Sequence, residues 1–237
     1  AQEENILDAK AFHAAYLTLT KSFVQKCESS LLDLYHQHHQ LKTSASRALK
    51  NRILGFLIDA IPVKAIPLIF EQYNSAQNMT DKINALVYLC RTQSTEKEIA
   101  LNEFFNRWKD DAVVFNKWLQ AQALSPSENT FERVQQLSRL SPFSLENPNN
   151  IYSLHMVLGG NYLAMQQDDG KTFSWFCDEL LKIDEKNPQA AARLCGSFNF
   201  LKKFPPSLKQ LGQLEIKRVL SEPKLSKNTR ELLEGCI

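Results

Sequence analysis

Apolar residues recur every three or four positions along most of this chain, and polar capping residues open one segment after another. In the first long segment the recurring positions are Phe12, Tyr16, Leu19, Phe23, Cys27, Leu31 and Leu34. This spacing places side chains on one face of an α-helix, because the helix has about 3.6 residues per turn. No run of four or more residues alternates in polarity between two turn dipeptides, as a strand would. The sequence therefore predicts an all-α chain.

Capping signals divide the chain into the helices that we expect. Ser, Thr, Asn and Asp at a helix start accept hydrogen bonds from backbone N–H groups, and proline is tolerated in the first turn. Such signals occur at 43–46, 78–81, 94–96, 110–111, 125–128, 147–148, 168–172, 187–188 and 205–206. They predict roughly a dozen helices of about 10 to 18 residues with short loops, which favour antiparallel neighbours. The predicted fold is an irregular superhelix of antiparallel helical hairpins, a HEAT/armadillo-like array, in a single domain over residues 1–237.

Scarce glycine and a nearly balanced charge exclude two classes of function. The chain has 7 glycines in 237 residues, whereas phosphate-binding loops depend on glycine. Its one adjacent pair, Gly159 and Gly160, lies in neither a GxGxxG nor a GxxxxGKS/T pattern. Lys and Arg number 28 against 26 Asp and Glu. A nucleic-acid binder usually carries a clear basic excess, so we expect no nucleic-acid partner.

The N-terminus and the cysteines indicate a reducing compartment. The first five residues (AQEEN) have neither the basic nor the apolar region of a signal peptide. No apolar run approaches the roughly 20 residues of a membrane span. The cysteines form no CxxC pair and are interpreted as buried free thiols: Cys27, Cys90, Cys177, Cys195 and Cys236. We predict a cytoplasmic protein with no membrane partner, and the absence of a starting Met suggests a piece of a longer chain.

The histidines raise the question of a metal site. His36 and His39 share a helical face, and two imidazoles three residues apart can bind a transition metal. The alternative is that they favour the negative end of the helix dipole. His13 and His155 stand alone in helical segments and are expected in the core or a groove. Since HExxH and GxSxG are both absent, we predict no catalytic residue and no metal ligand set in this chain.

A capped segment at 187–194 could bind a ligand. Asn187 is a good N-cap and Pro188 a good first helical residue. Gln189 and Arg193 then lie one turn apart on the same face, where an amide and a guanidinium suit a carboxylate or a peptide backbone. The alternative is a well-capped helix with a surface arginine.

Four stretches, in order, resemble the C-terminal helical domain of bacterial-type aminopeptidase N. They read FEQYNSAQNMTD at 70–81, FNKWLQAQA at 115–123, FSLENPN at 143–149 and NPQAAARL at 187–194. The resemblance extends from about residue 31 to the C-terminus. Members of this family are zinc-dependent exopeptidases that remove N-terminal amino acids from peptides, and their HExxH zinc site lies in a domain upstream of this region. The resemblance thus implies a zinc cofactor in the parent enzyme and none on this chain.

The resemblance also implies a role for this chain. It would be the C-terminal domain of a longer enzyme, cap the active site, line the substrate cavity and be inactive alone. Gln189 and Arg193 match family positions that face this cavity and hold substrate beyond the scissile bond. After 147–149 the family often has arginines where this chain has Asn150, Ile151 and Tyr152, which predicts a less basic lining.

The partners implied are a peptide substrate and the upstream catalytic domain. A stand-alone helical-repeat scaffold that binds a peptide or a partner helix in its groove remains an alternative. An exposed apolar patch, where a missing domain would dock, would favour the aminopeptidase.

Overall fold

The computed structural model describes residues 6–167 and 169–237. The first five residues, on which the prediction of no signal peptide depends, lie outside the described residues. Asp168, the first residue of the turn predicted at 168–172, lies outside them as well.

The described residues form helices and connecting turns, and no strand occurs among them. The α-helices are α1 (Ala9–His39), α2 (Ser44–Ala60), α3 (Pro62–Ser75), α4 (Met79–Leu89), α5 (Thr95–Trp108), α6 (Ala112–Ala123), α7 (Thr130–Leu137), α8 (Pro148–Ile151), α9 (Val157–Gly160), α10 (Tyr162–Met165), α11 (Lys171–Lys186), α12 (Pro188–Leu194), α13 (Pro206–Leu220) and α14 (Lys227–Glu234). A π-helical turn (Tyr152–Met156) joins α8 to α9, and a 3₁₀-helix (Cys195–Lys203) follows α12. The predicted all-α class is confirmed.

Most predicted helix starts are formed by the predicted caps. The side chains of Thr43, Asn78 and Ser94 each accept a hydrogen bond from the backbone N–H three residues later, at 3.1, 2.9 and 3.2 Å. These bonds satisfy N–H groups that have no partner within the helix. The predicted length of about 10 to 18 residues is wrong for α8, α9 and α10, which have four residues each, and for α7, α12 and α14, which have 8, 7 and 8.

The described chain divides into two compact units. The N-terminal unit comprises Ala11–Ala121, and the C-terminal unit comprises the described residues up to Lys10 together with those from Gln122 to Ile237. That residues 1–237 act as one domain stays a prediction.

In the N-terminal unit, α2, α3 and α4 pack on one another, and α5 packs on α3 and α4. Fully buried side chains fill this core, among them Leu54, Leu57, Ile69, Leu86, Leu89 and Phe104. The stripe predicted along α1 is only partly buried: Leu31 is buried, whereas Phe12 and Leu19 are 69% and 71% exposed. Non-helical backbone angles at Cys27 (φ −136°, ψ 25°) interrupt the helix between these two parts.

In the C-terminal unit, α11 packs against α12 and α13, and α12 packs against α14 and the π-helical turn. The core side chains include Leu158, Phe173, Phe176, Leu180, Ile183 and Phe198. Gln166 holds Leu7 and Ala9 in this unit, because its side-chain oxygen accepts from Ala9 N–H and its amide nitrogen donates to the Leu7 carbonyl, both at 2.8 Å. This unit carries the predicted binding residues.

None of the helices in the described part of the chain combines the length and apolar character needed to cross a lipid bilayer.

Candidate functional site

Helix α12 places Gln189 and Arg193 on the surface of the C-terminal unit. The Asn187 side chain accepts a hydrogen bond from Ala190 N–H at 3.0 Å, and Pro188 occupies the first turn, so the helix begins where the sequence predicted. The apolar side of the helix is buried, as shown by Ala190, Ala191 and Leu194. Gln189 and Arg193 are exposed one turn apart on the remaining side.

The π-helical turn supplies the aromatic neighbour of Arg193. The guanidinium carbon of Arg193 lies 5.4 Å from the centroid of the half-buried Tyr152 ring. A cation at this distance from an aromatic ring is attracted by the negative face of the ring. No carboxylate of the described residues pairs with Arg193, so its N–H donors remain available to an acceptor from outside the chain.

A buried polar pair links the π-helical turn to α11. His155, on that turn, is fully buried, and its Nε2 lies 3.3 Å from Oε2 of Glu179 on α11. The imidazole also stacks on the Trp175 ring, with centroids 5.5 Å apart and planes at 6°. Lys182 donates to the other carboxylate oxygen of Glu179 at 2.7 Å. His155 was expected in the core or a groove, and it lies in the core.

The electrostatics of Glu179 follow from these contacts. Burial on its own would raise the pKa of Glu179, but hydrogen bonds from His155 and Lys182 outweigh burial and lower this pKa. The carboxylate therefore stays charged at neutral pH and fixes the His155 ring of the π-helical turn.

Sequence reasoning identified Gln189 and Arg193 but missed Tyr152 as a member of this surface. It treated 150–152 only as a loss of basic residues. The sequence shows an aromatic residue at position 152, but the contact of its ring with Arg193 joins residues 41 positions apart (193 minus 152). No local pattern predicts such a contact.

The other candidate residues form no metal site. His36 is exposed, and the centroids of the His36 and His39 rings each lie 5.4 Å from that of Tyr35. His13 is half-buried beside Tyr16, at 6.3 Å between centroids. Within residues 6–167 and 169–237, no three His, Cys, Asp or Glu side chains are grouped to hold a metal ion. The residues described here therefore do not fit a zinc ion.

The cysteines are free thiols, as predicted. All except the half-buried Cys27 are buried, and none is in a disulfide. Burial raises the pKa of Cys195 to about 12 and raises the pKa of Cys236 and of Cys177 as well. Because the thiolate is the nucleophile, these three buried thiols are unreactive at neutral pH.

Comparison with known proteins identifies the relatives of this chain. A protein-family model described as "Domain of unknown function (DUF3458_C) ARM repeats" matches residues 1–237. The chain is 30% identical to aminopeptidase N of Escherichia coli over 207 residues, which are 84% of this chain and 24% of that protein. It is 29% identical to aminopeptidase N of Haemophilus influenzae over 237 residues, 99% of this chain and 27% of that protein.

The fold is also that of a solved structure. Legionella pneumophila aminopeptidase A, crystallised in complex with aspartic acid, superposes with a TM-score of 0.90 at 22% identity, over 98% of this chain and 29% of that chain. The chain thus spans about a quarter of the curated relatives that it matches. The resemblance to the C-terminal helical domain of aminopeptidase N is confirmed, and the chain belongs to the DUF3458_C ARM-repeat family.

Proposed function

We propose that this chain caps the active site and lines the substrate cavity of a cytoplasmic, zinc-dependent aminopeptidase, and that it has no peptidase activity alone. Its substrates are peptides, from which the complete enzyme removes N-terminal amino acids. The proposal is supported by the curated relatives called aminopeptidase N, of which this chain spans about a quarter. The observation that carries its role in substrate binding is the exposed pair Gln189 and Arg193 beside Tyr152.

The three side chains offer complementary chemistry to a peptide. The Arg193 guanidinium donates hydrogen bonds in a planar fork and suits a backbone carbonyl of the substrate. The Gln189 amide both donates and accepts, as a peptide bond requires. Contact with the Tyr152 ring restricts the guanidinium, so less side-chain entropy is lost when a peptide binds. These residues hold substrate beyond the scissile bond and take no part in bond cleavage.

The zinc ion belongs to the upstream part of the proposed enzyme. The described residues lack a group of three metal-ligating side chains, and this chain would contribute by excluding water around the reacting groups. Water exclusion strengthens every electrostatic interaction inside a closed site.

The exposed apolar residues of α1 supply a surface for the upstream domain. Phe12, Leu19 and Phe23 are 69%, 71% and 47% exposed, and their spacing of seven and four residues places them on one helical face. Large exposed apolar patches mark interaction sites, because leaving them in water is unfavourable. We assign this face to contact with the catalytic part of the same enzyme.

Peptidase activity tests the proposal. The complete gene product and this chain alone are assayed with an alanyl fluorogenic amide, before and after chelation, and again after zinc is restored. We expect activity in the complete product that chelation removes and zinc restores, and none in the chain alone. Activity in the chain alone, or an inactive complete product, would overturn the proposal.

A further inference from the structure

A polar pocket of about 390 Å³ lies within the N-terminal unit. It is formed by the C-terminal end of α1, the residues that follow it, the start of α2 and the junction of α3 with α4. Its volume is within the lower range of small-molecule sites, about 300–1,000 Å³. The lining residues that matter here are His39, Lys42, Arg47, Lys50, Gln72 and Asp81.

A buried ion pair forms the floor of this pocket. Lys50 and Asp81 are 5% and 4% exposed, and Lys50 Nζ lies 2.9 Å from Oδ2 of Asp81. Asn51 and Asn78 donate to the two oxygens of the same carboxylate at 3.0 and 2.9 Å. Both oxygens of the Asp81 carboxylate therefore have hydrogen-bond partners within the protein. A buried ion pair is often no more stable than apolar residues of the same volume, so its presence calls for a reason other than stability.

Two buried atoms at the pocket have no hydrogen-bond partner among the described residues. They are Oε1 of Gln72 and Nδ1 of His39. Gln72 is only 1% exposed, and its amide nitrogen is already used, donating to Asn51 Oδ1 at 2.7 Å. Since buried acceptors are nearly always bonded in native proteins, Gln72 Oε1 is suited to receive an N–H from a ligand.

The pocket carries an excess of positive charge. Lys42, Arg47 and Lys50 line it against the single carboxylate of Asp81. Arg47 donates to the Lys42 carbonyl at 2.7 Å, which fixes the guanidinium at the pocket wall. Glu71, on α3, is exposed and outside the lining. The pocket therefore favours an anion.

We propose that this pocket binds the C-terminal carboxylate of a short peptide together with its last amide N–H. The carboxylate accepts from Arg47 and Lys50, and the amide donates to Gln72 Oε1. A free amino acid fits less well, because its ammonium would meet the three cations of the lining and Asp81 already has its partners. The proposal depends on neither Gln189 nor Arg193, so it can fail or succeed independently of the proposed function.

Calorimetric titration of the complete protein tests this assignment. The probe is N-acetyl-alanyl-alanine, whose blocked N-terminus makes it a poor aminopeptidase substrate, and its C-terminal amide is the neutral counterpart. We expect the acid to bind and the amide to bind at least about tenfold more weakly, as for loss of a charge-assisted hydrogen bond. No binding of the acid at millimolar concentration, or equal binding of both, would overturn the proposal.

Variants of the pocket residues test where the acid binds. Arg47→Gln should weaken binding of the acid about tenfold, whereas Arg52→Gln, on the same helix but over the Phe56 ring, should leave it unchanged. Lys50→Met combined with Asp81→Leu removes both buried charges together, so that neither is left unpaired, and should abolish binding. Unchanged binding in Arg47→Gln would contradict the proposal. Inorganic phosphate or free alanine competing as well as the acid would overturn the peptide as its ligand.

Discussion

The surface around Arg193 and the pocket around Lys50 both present a cation, but they hold it in opposite ways. Arg193 is exposed and contacts the Tyr152 ring without a carboxylate partner among the described residues. Lys50 is buried and paired to Asp81. Because water solvates the exposed guanidinium, the fold does not depend on it. The buried ammonium must be neutralised for its unit to fold. A change at Lys50 should therefore affect both ligand binding and folding stability, whereas a change at Arg193 should affect ligand binding alone.

Removal of the carboxylate partner of Lys50 tests this difference most strongly. Asp81→Ala leaves a buried ammonium without its counterion and should lower the free energy of unfolding by roughly 3–5 kcal/mol. Chemical denaturation measures the loss. Asp178→Ala, which removes a half-exposed carboxylate 2.7 Å from Arg218, is the control and should cost less than about 1 kcal/mol. Equal losses would contradict the distinction between buried and exposed ion pairs.

The same carboxylate predicts a pH dependence of stability. Burial would raise the pKa of Asp81, but hydrogen bonds from Lys50, Asn78 and Asn51 outweigh it and hold the pKa below the ordinary 3.8. A lowered folded-state pKa stabilises the fold above the unfolded-state pKa of about 3.9, and this stability is lost as the pH falls through the folded value.

Unfolding measured between pH 6 and pH 3 tests this dependence. Asp81→Asn should show a smaller loss of stability on acidification than the unmodified chain. The pH dependence of the unfolding free energy that remains in this variant includes a contribution from Glu179, whose pKa is also lowered. Parallel curves for the two proteins would refute the role given to Asp81.

The helix that presents Arg193 depends on its cap. Asn187→Ala removes the hydrogen bond to Ala190 N–H and should cost about 1 kcal/mol of stability. Asn149→Ala, at an exposed asparagine of α8, is the matched control and should have almost no effect. If both variants are as stable as the unmodified chain, the cap does not fix the start of α12.

The smallest expected effect concerns the Tyr152 ring. Tyr152→Leu in the complete enzyme removes the contact with Arg193 and should raise the KM for a tetrapeptide about two- to fivefold, as for an exposed cation–π contact. Tyr152→Phe keeps the ring and should behave like the unmodified enzyme. A similar rise in KM for both variants would assign the effect to the hydroxyl instead.

The parts of the structure that could be predicted are those determined by interactions between residues close together in the sequence. Caps at Thr43, Asn78, Ser94 and Asn187 act over three residues, so their helices could be located from the sequence. The spacing of Gln189 and Arg193 within one helix was equally local. This is why the candidate binding residues on α12 could be named before the structure was known.

The parts that were not predictable depend on distant contacts. Asp81 was recognised only as part of a capping cluster, because its pairing with Lys50 joins helices 31 residues apart in sequence (81 minus 50). The π-helical turn at Tyr152–Met156 has no local signature that separates it from an α-helix. The apolar spacing of α1 likewise did not reveal that Phe12 and Leu19 are exposed.

We propose that this chain holds peptides beyond the scissile bond, and Arg193→Ala in the complete enzyme tests that role. We measure kcat/KM for a tetrapeptide and for an alanyl amide, with the exposed Arg139→Ala as a charge-matched control. We expect kcat/KM to fall about tenfold or more for the tetrapeptide, and less than about twofold for the amide or in the control variant. Equal losses on the two substrates would contradict it.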